Sequence, residues 1–573
     1  MSWLIIKKFN KNFLHNTETI ARKHRIDFGE TVVIENFSTR FADDKCLYFD
    51  DRYAVIVDGV ILNKSELLAE SGAASLRDWI KREIGKSKPI CSYLRGPFTG
   101  CVIDKRDGHL YAFGNQTGDA AVFYYADADC FAVSSDFNMV CDWCRANDRR
   151  LSFNTIAAKQ MMTLGWLVDG MTFVAEIKRT FPGNYVNVSG NGNIAEASYH
   201  RFDNHTVLNI SMDEAVELLD TGFRRSVARC FDKDIEYGYS HHLVDMSGGL
   251  DSRMVSVVAR DMGYDGITNM HYSKKDSTEE KCAYAMACAL KNEFIGKPLD
   301  DLTFFYDVDE IISKNFGLAF YSGITGGNRL LSSINFDKFG LEHTGQLGDV
   351  VVGTYNKQAK HSPPDPLIIS SSDVFDPCFH VPVWIDNHEM LALYYRGFQG
   401  ILTTHFIRRN YTEVVSPFID VDFLTLCLSL PLEFRHNHML YWKWIDTKYP
   451  IAASIPSTTK RPCENEKITI RKILIRLIGK RKREVAAILN KLGLYGLVSD
   501  KNSMNPIDYW FSTNIELRKF VREYFQSHID SINDYSEIKQ MLETLFNSER
   551  ANDKFLAITV LGAYDKYFNL EQR

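Results

Sequence analysis

The stretch Val244-Asp-Met-Ser-Gly-Gly-Leu-Asp-Ser-Arg253 decides what the second part of this chain can be. An apolar strand runs into Ser-Gly-Gly, and a helix is predicted to begin at Asp251-Ser252. Two glycines let backbone amides approach an anion, and the helix adds unpaired N–H groups and the positive end of its dipole. Because Asp251 would repel a bare phosphate, a magnesium ion is expected between them. The stretch therefore predicts a phosphate-binding loop, and it is no Walker A loop because the GxxxxGK[ST] lysine is missing.

The residues around this loop alternate between strand and helix patterns. Apolar strands are predicted at His241–Met246 and Ile267–Tyr272, and each is followed by a helical pattern, at Met254–Met262 and Glu279–Leu290. A longer helix over Met212–Arg229 precedes them. Such alternation predicts an α/β part with a doubly wound parallel sheet and ligands at the carboxyl ends of its strands. Beyond about residue 380 the chain is predicted to be mostly helical.

The amino-terminal part of the chain has a different pattern. Short β-branched or aromatic runs are separated by Gly, Asn and Asp, which is typical of antiparallel strands joined by tight turns. An α+β arrangement built on antiparallel sheets is therefore expected. The clearest predicted elements are the hairpins Cys101–Phe113 and Val122–Val133 and the helices Ser65–Ala69 and Ser75–Ile84.

A polar stretch marks the change between the two patterns. Gly and Asn are concentrated in Val188–Asn193, and Asp203-Asn-His205 follows shortly afterwards. Residues of these types are typical of loops and linkers, so we place a domain boundary near residue 205. The predicted domains span residues 1–205 and 206–573.

Composition narrows the classes of protein. The 573 residues are 45% hydrophobic and 24% charged, which indicates globular domains rather than disorder. The net charge of −6 disfavours a nucleic-acid-binding surface. No apolar run reaches the ~18 residues that a membrane span needs, and the amino terminus lacks a signal-peptide pattern. We therefore expect a cytoplasmic protein without membrane or nucleic-acid partners.

Two residue pairs invite a metal interpretation but are predicted to be structural. Cys141 and Cys144 form a lone CxxC motif, and zinc would need two further ligands at matching spacing. His241 and His242 are neighbours on a predicted strand, so their side chains face opposite sides and do not easily share a metal. Half-buried thiols and structural histidines are expected.

The phosphate loop has the form SGGxDS, and a second segment downstream completes a family pattern. Thr344-Gly-Gln-Leu-Gly-Asp-Val350, with Gly353 and Tyr355, resembles the (S/T)GxGxDExxGGY segment of the asparagine synthetase family. The resemblance extends over most of the chain. It includes Glu413–Asp420, which is similar to the packing motif EVRxPFLD except that valine replaces the arginine, and Phe181-Pro-Gly183, which resembles LxPG. It implies an ATP-pyrophosphatase domain that adenylates a substrate.

The resemblance also implies roles for individual residues, with ATP and Mg²⁺ as cofactors. Asp251 and Asp349 would hold the metal. Gln346 lies where relatives carry an acidic or tyrosyl side chain near the reacting groups, and Lys460 lies where relatives keep a lysine for the phosphates, although Arg461 or Lys467 could serve instead. The implied nucleotide-binding positions are Met246, Ser247, Gly248, Gly249, Asp251, Ser252, Tyr272, Thr344 and Gly345.

The amino-terminal half resembles the glutaminase domain of the same family, of the amino-terminal-nucleophile (Ntn) type, but its chemistry looks damaged. Working members use a cysteine exposed by removal of the initiator methionine, and this chain has Ser2. The NGEIYN stretch of the family reads Asp58-Gly59-Val60-Ile-Leu-Asn63, so Val60 stands where an acidic group would bind the glutamine amine. An inactive glutaminase is predicted, although hydroxyl nucleophiles occur in related hydrolases.

The implied function is that of an ATP-dependent amide-forming ligase. A small-molecule or peptide carboxylate attacks the α-phosphate of ATP, and ammonia or an amine then displaces AMP from the acyl-adenylate. Gln346 cannot act as a base, and Val350 replaces the usual glutamate after Asp349. Free aspartate is therefore predicted to be a poor substrate.

Other functions stay open at this stage. Peptide macrolactam (lasso-type) cyclases of the family also have a degenerate glutaminase half. A thiolating or tRNA-modifying pyrophosphatase would need a cysteine pair and a basic surface, and a catalytically dead scaffold is disfavoured by the intact loop. The basic segment Arg471–Arg483 is either a solvated face or a docking site for an acidic substrate or leader peptide.

Overall fold

β-Strands divide the chain into an antiparallel and a parallel region. Within the described residues there are two six-stranded antiparallel sheets and one five-stranded parallel sheet. This arrangement confirms the predicted change from antiparallel to parallel strands along the chain. The structure is a computed structural model that describes residues 2–7, 24–28, 31–128, 130–189, 193–324, 327–356, 358–372, 374–459, 461 and 501–569.

The strands are β1 (Ser2–Lys7), β2 (His24–Phe28), β3 (Thr31–Asn36), β4 (Cys46–Phe49), β5 (Tyr53–Gly59), β6 (Phe98–Asp104), β7 (His109–Phe113), β8 (Phe123–Ala126), β9 (Phe131–Ser134), β10 (Lys178–Arg179), β11 (Asn184–Val188), β12 (Ile194–Ser198), β13 (His242–Asp245), β14 (Ile267–Ser273), β15 (Glu293–Pro298), β16 (Glu342–His343) and β17 (Val414–Val415). The first antiparallel sheet has the order β10-β8-β9-β1-β3-β2, and the second has the order β12-β11-β7-β6-β5-β4. The parallel sheet has the order β15-β14-β13-β16-β17.

β1 shows why the first antiparallel sheet has a strand without polar alternation. Trp3 and Ile5 pack into a core shared with the second antiparallel sheet. Leu4 and Ile6 pack on the opposite face against helices. Because both faces of the strand are buried, an uninterrupted apolar sequence is what the fold requires there.

The local predictions for the amino-terminal part are confirmed. β6 pairs with β7, and β8 pairs with β9, as the two predicted hairpins. The two predicted helices are α1 (Lys64–Ser71) and α2 (Leu76–Glu83). The polar stretch, however, falls between two strands of one sheet: β11 ends at Val188 and pairs antiparallel with β12, with Val188 opposite Ile194. Tight turns and linkers use the same residue types, and the domain boundary near residue 205 stays a prediction.

The parallel sheet agrees with the two predicted strands and adds three that were not predicted. β13 and β14 match the apolar runs to within a residue at each end. β15 has a mixed polar sequence, and β16 and β17 are two residues long. Strands this short or polar carry no usable periodicity, so only pairing with their neighbours reveals them.

Helices cover the parallel sheet and form most of the described carboxyl-terminal part. Two π-helical segments, Val350–Thr354 and Ala392–Phe398, interrupt the regular helices. In the described ranges, no helix combines the length and the apolar character that a membrane crossing requires. The remaining α-helices are α3 (Phe137–Ala146), α4 (Thr155–Leu164), α5 (Met212–Glu236), α6 (Asp251–Asp261), α7 (Thr278–Leu290), α8 (Val308–Asn315), α9 (Tyr321–Ile324), α10 (Asn328–Leu331), α11 (His388–Leu391), α12 (Thr404–Arg408), α13 (Val421–Ser429), α14 (Leu432–Arg435), α15 (Met439–Lys448), α16 (Pro450–Ser454), α17 (Ile507–Thr513), α18 (Ile515–His528), α19 (Ser536–Phe546) and α20 (Ala551–Phe568).

α5 joins the two parts of the chain. It begins at a capping box, in which the Ser211 hydroxyl accepts from the Glu214 N–H and the Glu214 carboxylate accepts from the Ser211 N–H. Further along the helix, the Lys233 ammonium lies 3.1 Å from Asp44 of the amino-terminal part. Arg229 binds Glu66 of the same part at 2.7 Å and Asp420 at 2.8 Å. Buried charges of α5 are therefore paired across both parts.

Candidate active site

The carboxyl ends of three parallel strands meet at one cavity. β13 lies between β14 and β16 in the sheet. Residues from the carboxyl-terminal half of β14, from the end of β13 and from the segments after β13 and β16 line a cavity of about 230 Å³. Ligand sites of parallel α/β sheets are found at this end of the strands. The lining residues are Asp245, Met246, Ser247, Asp251, Ser252, Met270, His271, Tyr272, Thr344, Gly345, Gln346, Arg408 and Met504.

Most of the residues singled out from the sequence come together here. Gly248 and Gly249 belong to the same loop but do not line the cavity. Asp349 does not line it either, but its N–H group donates to Asp251, which does. The predicted residues that line the cavity are Met246, Ser247, Asp251, Ser252, Tyr272, Thr344, Gly345 and Gln346.

The loop from Ser247 to Ser252 is held by hydrogen bonds within itself. The Ser247 N–H donates to the Ser252 hydroxyl at 2.7 Å, and the Gly249 N–H donates to the Ser247 hydroxyl at 3.3 Å. The two hydroxyl oxygens are 2.9 Å apart. Two of the backbone donors that would meet a phosphate are thus satisfied by hydroxyl groups, which can rotate away at little cost.

A carboxylate occupies a third backbone donor of the loop. The Gly248 N–H donates to Glu279 Oε2 at 2.6 Å. A Cβ at position 248 would lie 2.6 Å from that same oxygen, so glycine is needed for the approach. Glu279 lies in the first turn of α7. The loop amide therefore binds an anionic oxygen in the structure as it stands, as loops of this kind do with phosphates.

Two carboxylates meet at the start of α6. The Asp349 N–H donates to Asp251 Oδ2 at 2.9 Å, and the Tyr441 hydroxyl donates to Asp251 Oδ1 at 3.0 Å. Burial and, next in size, the charge of Asp349 raise the pKa of Asp251 well above its usual range. Paired carboxylate oxygens that destabilise each other are a fitting ligand set for Mg²⁺.

Glycines let the second segment pack directly onto this helix start. A Cβ at Gly345 would lie 2.3 Å from the Ser252 nitrogen, and a Cβ at Gly348 would lie 2.6 Å from the Asp251 carboxyl carbon. Between them, Leu347 has a φ of +66° and is buried. Such a conformation costs an L-residue free energy and is often found at functional sites. The close approach is what brings Asp349 to Asp251.

A buried arginine was not predicted from the sequence. Arg408, at the end of α12, donates to Asp245 Oδ2 at 2.8 Å, to Glu342 Oε1, and to the Tyr272 hydroxyl at 3.0 Å. Burial raises the pKa of Glu342 well above its usual range despite this partner. Arg408 is far from the sequence motifs and follows no recognisable spacing, so only the tertiary fold reveals it as a cavity residue.

Gln346 is held by α12 on the cavity wall. Its amide nitrogen donates to the Thr404 hydroxyl at 2.7 Å, and its amide oxygen contacts His405 Nε2. The Ser416 hydroxyl donates to the main-chain carbonyl oxygen of Gln346 at 2.9 Å. Both polar ends of the side chain therefore have partners that fix its orientation.

The basic residues predicted to reach the phosphates are only partly described. Lys460, Lys467 and the segment Arg471–Arg483 lie outside the described residues. Arg461 makes two hydrogen bonds of 2.7 Å to Asp446, and its guanidinium lies 4.3 Å from the centre of the Trp442 ring. It is thus engaged by neighbours that do not line the cavity.

The glutaminase-like positions lie around a second cavity of about 340 Å³, which Asp58 and Gly59 line together with Glu413. The Ser2 hydroxyl is buried and donates to the Met139 sulfur at 3.2 Å. Val60 is fully buried in a hydrophobic core and does not line this cavity. Burial raises the pKa of Asp58 to about 6, and the nearest cation is the Lys45 ammonium at 3.9 Å.

A buried cluster links the opposite ends of β13 and β16. Asp234 Oδ2 contacts His242 Nδ1 at 2.6 Å and His343 Nε2 at 2.8 Å, while Oδ1 accepts from the Leu341 N–H at 2.7 Å. The three possible ligand atoms lie within 4.8 Å of one another. Both carboxylate oxygens already accept hydrogen bonds, so the cluster acts as a clamp between strands, although His343 Nδ1 is buried without a hydrogen-bond partner among the described residues. His241, by contrast, is exposed.

The lone CxxC motif lies on α3. Cys141 and Cys144 are both buried in a hydrophobic core, more deeply than the half-buried position expected from the sequence. Burial raises the pKa of both thiols. Protonated thiols in an apolar core do not bind metals, so their role is packing.

Comparison with known proteins adds little. No protein-family profile matches the chain, and no curated protein matches it. Among solved structures, it is similar to glutamine phosphoribosylpyrophosphate amidotransferase from B. subtilis complexed with ADP and GMP, at 9% identity and a TM-score of 0.25, over 52% of this chain and 65% of that one. A structure described as the allosteric regulatory enzyme of purine biosynthesis matches at 9% identity and a TM-score of 0.23, over 51% and 58%. The chain thus spans less than two thirds of either protein, and similarity at this level carries no argument about fold or activity.

Proposed function

We propose that this protein is an ATP-dependent amide-forming ligase that adenylates a substrate carboxylate and transfers the acyl group to ammonia or an amine. The observation that carries the proposal is the meeting of two loops in one cavity. The loop Ser247–Ser252 and the segment Thr344–Asp349 follow adjacent parallel strands, and they bring Asp251 and Asp349 into contact.

The donor set of the loop supports binding of a polyphosphate. The backbone N–H groups of Ser247, Gly248 and Gly249 are satisfied by two hydroxyls and one carboxylate. All three partners are side-chain oxygens that an incoming phosphate oxygen can replace one for one. A helix start follows directly at Asp251, and its dipole favours negative charge at the same place.

The carboxylates support a divalent cation beside that polyphosphate. Asp251 is buried next to Asp349, and this proximity raises its pKa, so a cation would relieve an unfavourable pair. Asp251 and Asp349 would hold a magnesium ion, which would neutralise phosphate charge when bound. Carboxylate oxygens at a helix start are hard ligands, and they suit a magnesium ion better than they suit a softer metal ion.

The other cavity residues suggest how the chain would act on the acyl group. Arg408 is a buried cation whose guanidinium is already bound by Asp245 and Glu342, so it would contribute fixed hydrogen-bond donors rather than a free charge. The amide of Gln346 is fixed on the wall and offers hydrogen bonds without proton transfer. These residues would position reactants and exclude water, which is where most catalysis of phosphoryl and acyl transfer by a protein originates.

ATP–pyrophosphate exchange tests the proposal. Exchange would be measured with Mg²⁺ over a panel of free aspartate, other small carboxylic acids and peptides with a free carboxylate. We expect at least one class to support exchange and aspartate to be poor, because acidic partners for its ammonium are depleted around Gln346. Addition of ammonia or a primary amine should then convert exchange into net AMP formation.

The matched control lies on the same helix. Asp261 ends α6, is half exposed and pairs with Arg224, so Asp261→Asn should leave exchange unchanged while Asp251→Asn abolishes it. Failure of every acid to support exchange, together with failure of the magnesium complex of α,β-methylene-ATP to bind in calorimetry, would contradict the proposal. Asparagine formed in equal amount with AMP would instead make the protein an ordinary asparagine synthetase.

A further inference from the structure

Three side chains in successive contact connect the amino-terminal part to the wall of the nucleotide cavity. Asp119, in the turn between β7 and β8, contacts His405 Nδ1 through its Oδ2 atom at 2.8 Å. The opposite ring nitrogen of His405 contacts the amide of Gln346, which lines the cavity. The links join positions 286 and 59 residues apart in sequence, so they exist only through the tertiary fold.

The two carboxylate oxygens of Asp119 serve different parts of the molecule. Oδ1 accepts from the Asn115 amide and from the Thr117 hydroxyl, each at 2.6 Å, within its own turn. Oδ2 accepts from Arg409 at 2.9 Å in addition to contacting His405. Asp119 is 1% exposed. A carboxylate that is buried, fully bonded and divided in this way fixes one part of the chain against the other.

The neighbouring Arg409 and His405 keep the Asp119 carboxylate ionised. Burial alone would raise the pKa of Asp119, but the Arg409 charge and the His405 hydrogen bond hold it well below its usual range. Burial lowers the pKa of His405, against the opposing effect of Asp119. The charged groups that face the ring are Asp119, Arg408 and Arg409. The Nδ1–H group of the ring donates to the carboxylate, so the Nε2 atom of the neutral ring can only accept. The two ends of the Gln346 amide can exchange places, with the N–H group toward Nε2 and the oxygen toward the Thr404 hydroxyl, which makes both contacts hydrogen bonds.

We propose that Asp119 and His405 are positioning residues of the nucleotide cavity, which hold the Gln346 amide in place from the amino-terminal part of the chain. The inference rests on the proposed ligase function for its catalytic meaning. It assigns to the amino-terminal part a role that needs no glutamine hydrolysis: that part supplies the fixed end of a hydrogen-bonded support for the ligase site. Removing the support should loosen the wall at Gln346 without touching the phosphate loop.

The first test needs no substrate. Hydrogen–deuterium exchange of the full chain would be compared for the unmodified protein, Asp119→Asn and His405→Gln. Peptides covering residues 344–349 should exchange at least about three times faster in both variants. Asp104→Asn is the matched control, because Asp104 lies in the same part of the chain and pairs only with Arg52 and Arg106 at 3.0 Å among its described ion pairs. Unchanged exchange at 344–349 in both variants would overturn the proposal.

His405→Gln protects the test against misfolding. A glutamine amide lacks the two ring nitrogens on opposite sides that join Asp119 to Gln346, so the connection is broken, while Asp119 keeps Arg409, Asn115 and Thr117 as partners. If Asp119→Asn fails to fold, the expected loosening in His405→Gln still decides the matter.

A second readout separates positioning from general damage. With an acid that supports exchange, both variants should lower kcat at least about tenfold, while the Kd of the magnesium complex of α,β-methylene-ATP changes by less than about threefold. The kcat of the double variant should be no lower than that of the more severely affected single variant, because the two residues act as one unit. A loss of nucleotide affinity as large as the loss of kcat would overturn the proposal that Asp119 and His405 act by positioning Gln346.

The two tests fail separately. If no acid supports exchange even in the unmodified protein, the proposed ligase function is wrong, whereas the hydrogen-exchange result still decides whether Asp119 supports the cavity wall.

Discussion

The two cavities of this molecule preserve different amounts of chemistry. The cavity at the ends of the parallel strands brings a carboxylate pair, a loop with anion-binding donors and a buried arginine to one place. The cavity that Asp58 lines is larger, at about 340 Å³ against about 230 Å³. The Ser2 hydroxyl does not line that cavity and faces a methionine sulfur, and no base among the described contacts of that hydroxyl activates it.

The difference teaches that cavity size is a poor guide to function in this protein. What distinguishes the smaller cavity is that its groups are held against their own electrostatic preference, as Asp251 is beside Asp349. Unfavourable pairs of this kind are retained when a ligand relieves them. Burial is the largest cause of the raised pKa of both Asp251 and Asp58, but the next largest effect is the charge of Asp349 at Asp251, which raises the pKa further, and the charge of Lys45 at Asp58, which lowers it.

The largest expected effect is at Asp251. Asp251→Asn keeps the shape of the side chain and removes the charge that a magnesium ion needs, so AMP formation should fall at least about 100-fold. Steady-state AMP production with an accepted acid measures the effect, and circular dichroism confirms the fold. Undiminished AMP production would remove the smaller cavity from consideration as the active site.

A smaller effect of opposite sign is expected at Glu279. Its carboxylate occupies the Gly248 N–H and carries the same charge as a phosphate. Glu279→Gln should therefore tighten binding of the magnesium complex of α,β-methylene-ATP about three- to tenfold, because the hydrogen bond that the phosphate must replace is weaker by about 1 kcal/mol when its acceptor is a neutral amide rather than a carboxylate. Calorimetry measures the affinity, and Glu280→Gln on the same helix is the control. Weaker binding would mean that Glu279 helps to hold the cation.

The melting temperature of the ligand-free protein should respond to both Asp58 and Asp251, and Mg²⁺ then separates the two carboxyls. Both Asp58 and Asp251 have a folded-state pKa above the value of 3.8 for an ordinary aspartate. The folded protein thus binds more protons than the unfolded chain between the two pKa values, and each carboxyl makes stability fall as the pH rises through that window, which for Asp58 ends near 6. At pH 7.5 we expect either asparagine variant to raise the Tm of the ligand-free protein by about 2 °C.

Magnesium then distinguishes the two variants in the same experiment. Because a cation that binds only the folded state stabilises it, millimolar Mg²⁺ should raise the Tm of the unmodified protein and of Asp58→Asn. It should leave Asp251→Asn unchanged. The opposite pattern would place the cation in the larger cavity.

No change at all is expected at Ser2. Its hydroxyl has a far higher pKa than a thiol, and Val60 is buried in the core rather than facing the cavity. Ser2→Ala should leave ATP-dependent turnover with an amine donor as it was, and the unmodified protein should release no glutamate from glutamine. Glutamate release at a rate comparable to ATP consumption, lost in Ser2→Ala, would restore the larger cavity as a second active site.

Much of the smaller cavity could be predicted from the sequence because its residues are local to two motifs. Ser247 and Asp251 lie in the loop and helix start that follow the predicted apolar strand β13, and Thr344 belongs to the second motif. Parallel strands place their carboxyl ends at one edge. The pairing of Asp251 with Asp349 was implied only by the family resemblance. The change from antiparallel to parallel sheets followed from turn spacing and from strand–helix alternation.

The rest could not be predicted because it depends on contacts between distant segments. Arg408, His405 and Asp119 have no motif around them, and their places follow from how α12 packs between the two parts. β16 and β17 are two residues long and leave no periodic signal. The polar residues between β11 and β12 do not locate a domain boundary by themselves, because hairpin connections and linkers are built from the same residue types.

The Asp234 clamp has a consequence for how this protein can change over evolutionary time. One carboxylate contacts a ring nitrogen of His242 and of His343, and all three side chains are buried. Replacing any single member leaves a buried polar group without its partner, at a cost of about 1–3 kcal/mol. The three positions are therefore expected to be inherited and replaced as a set, and descendants that keep only one or two of them should be rare.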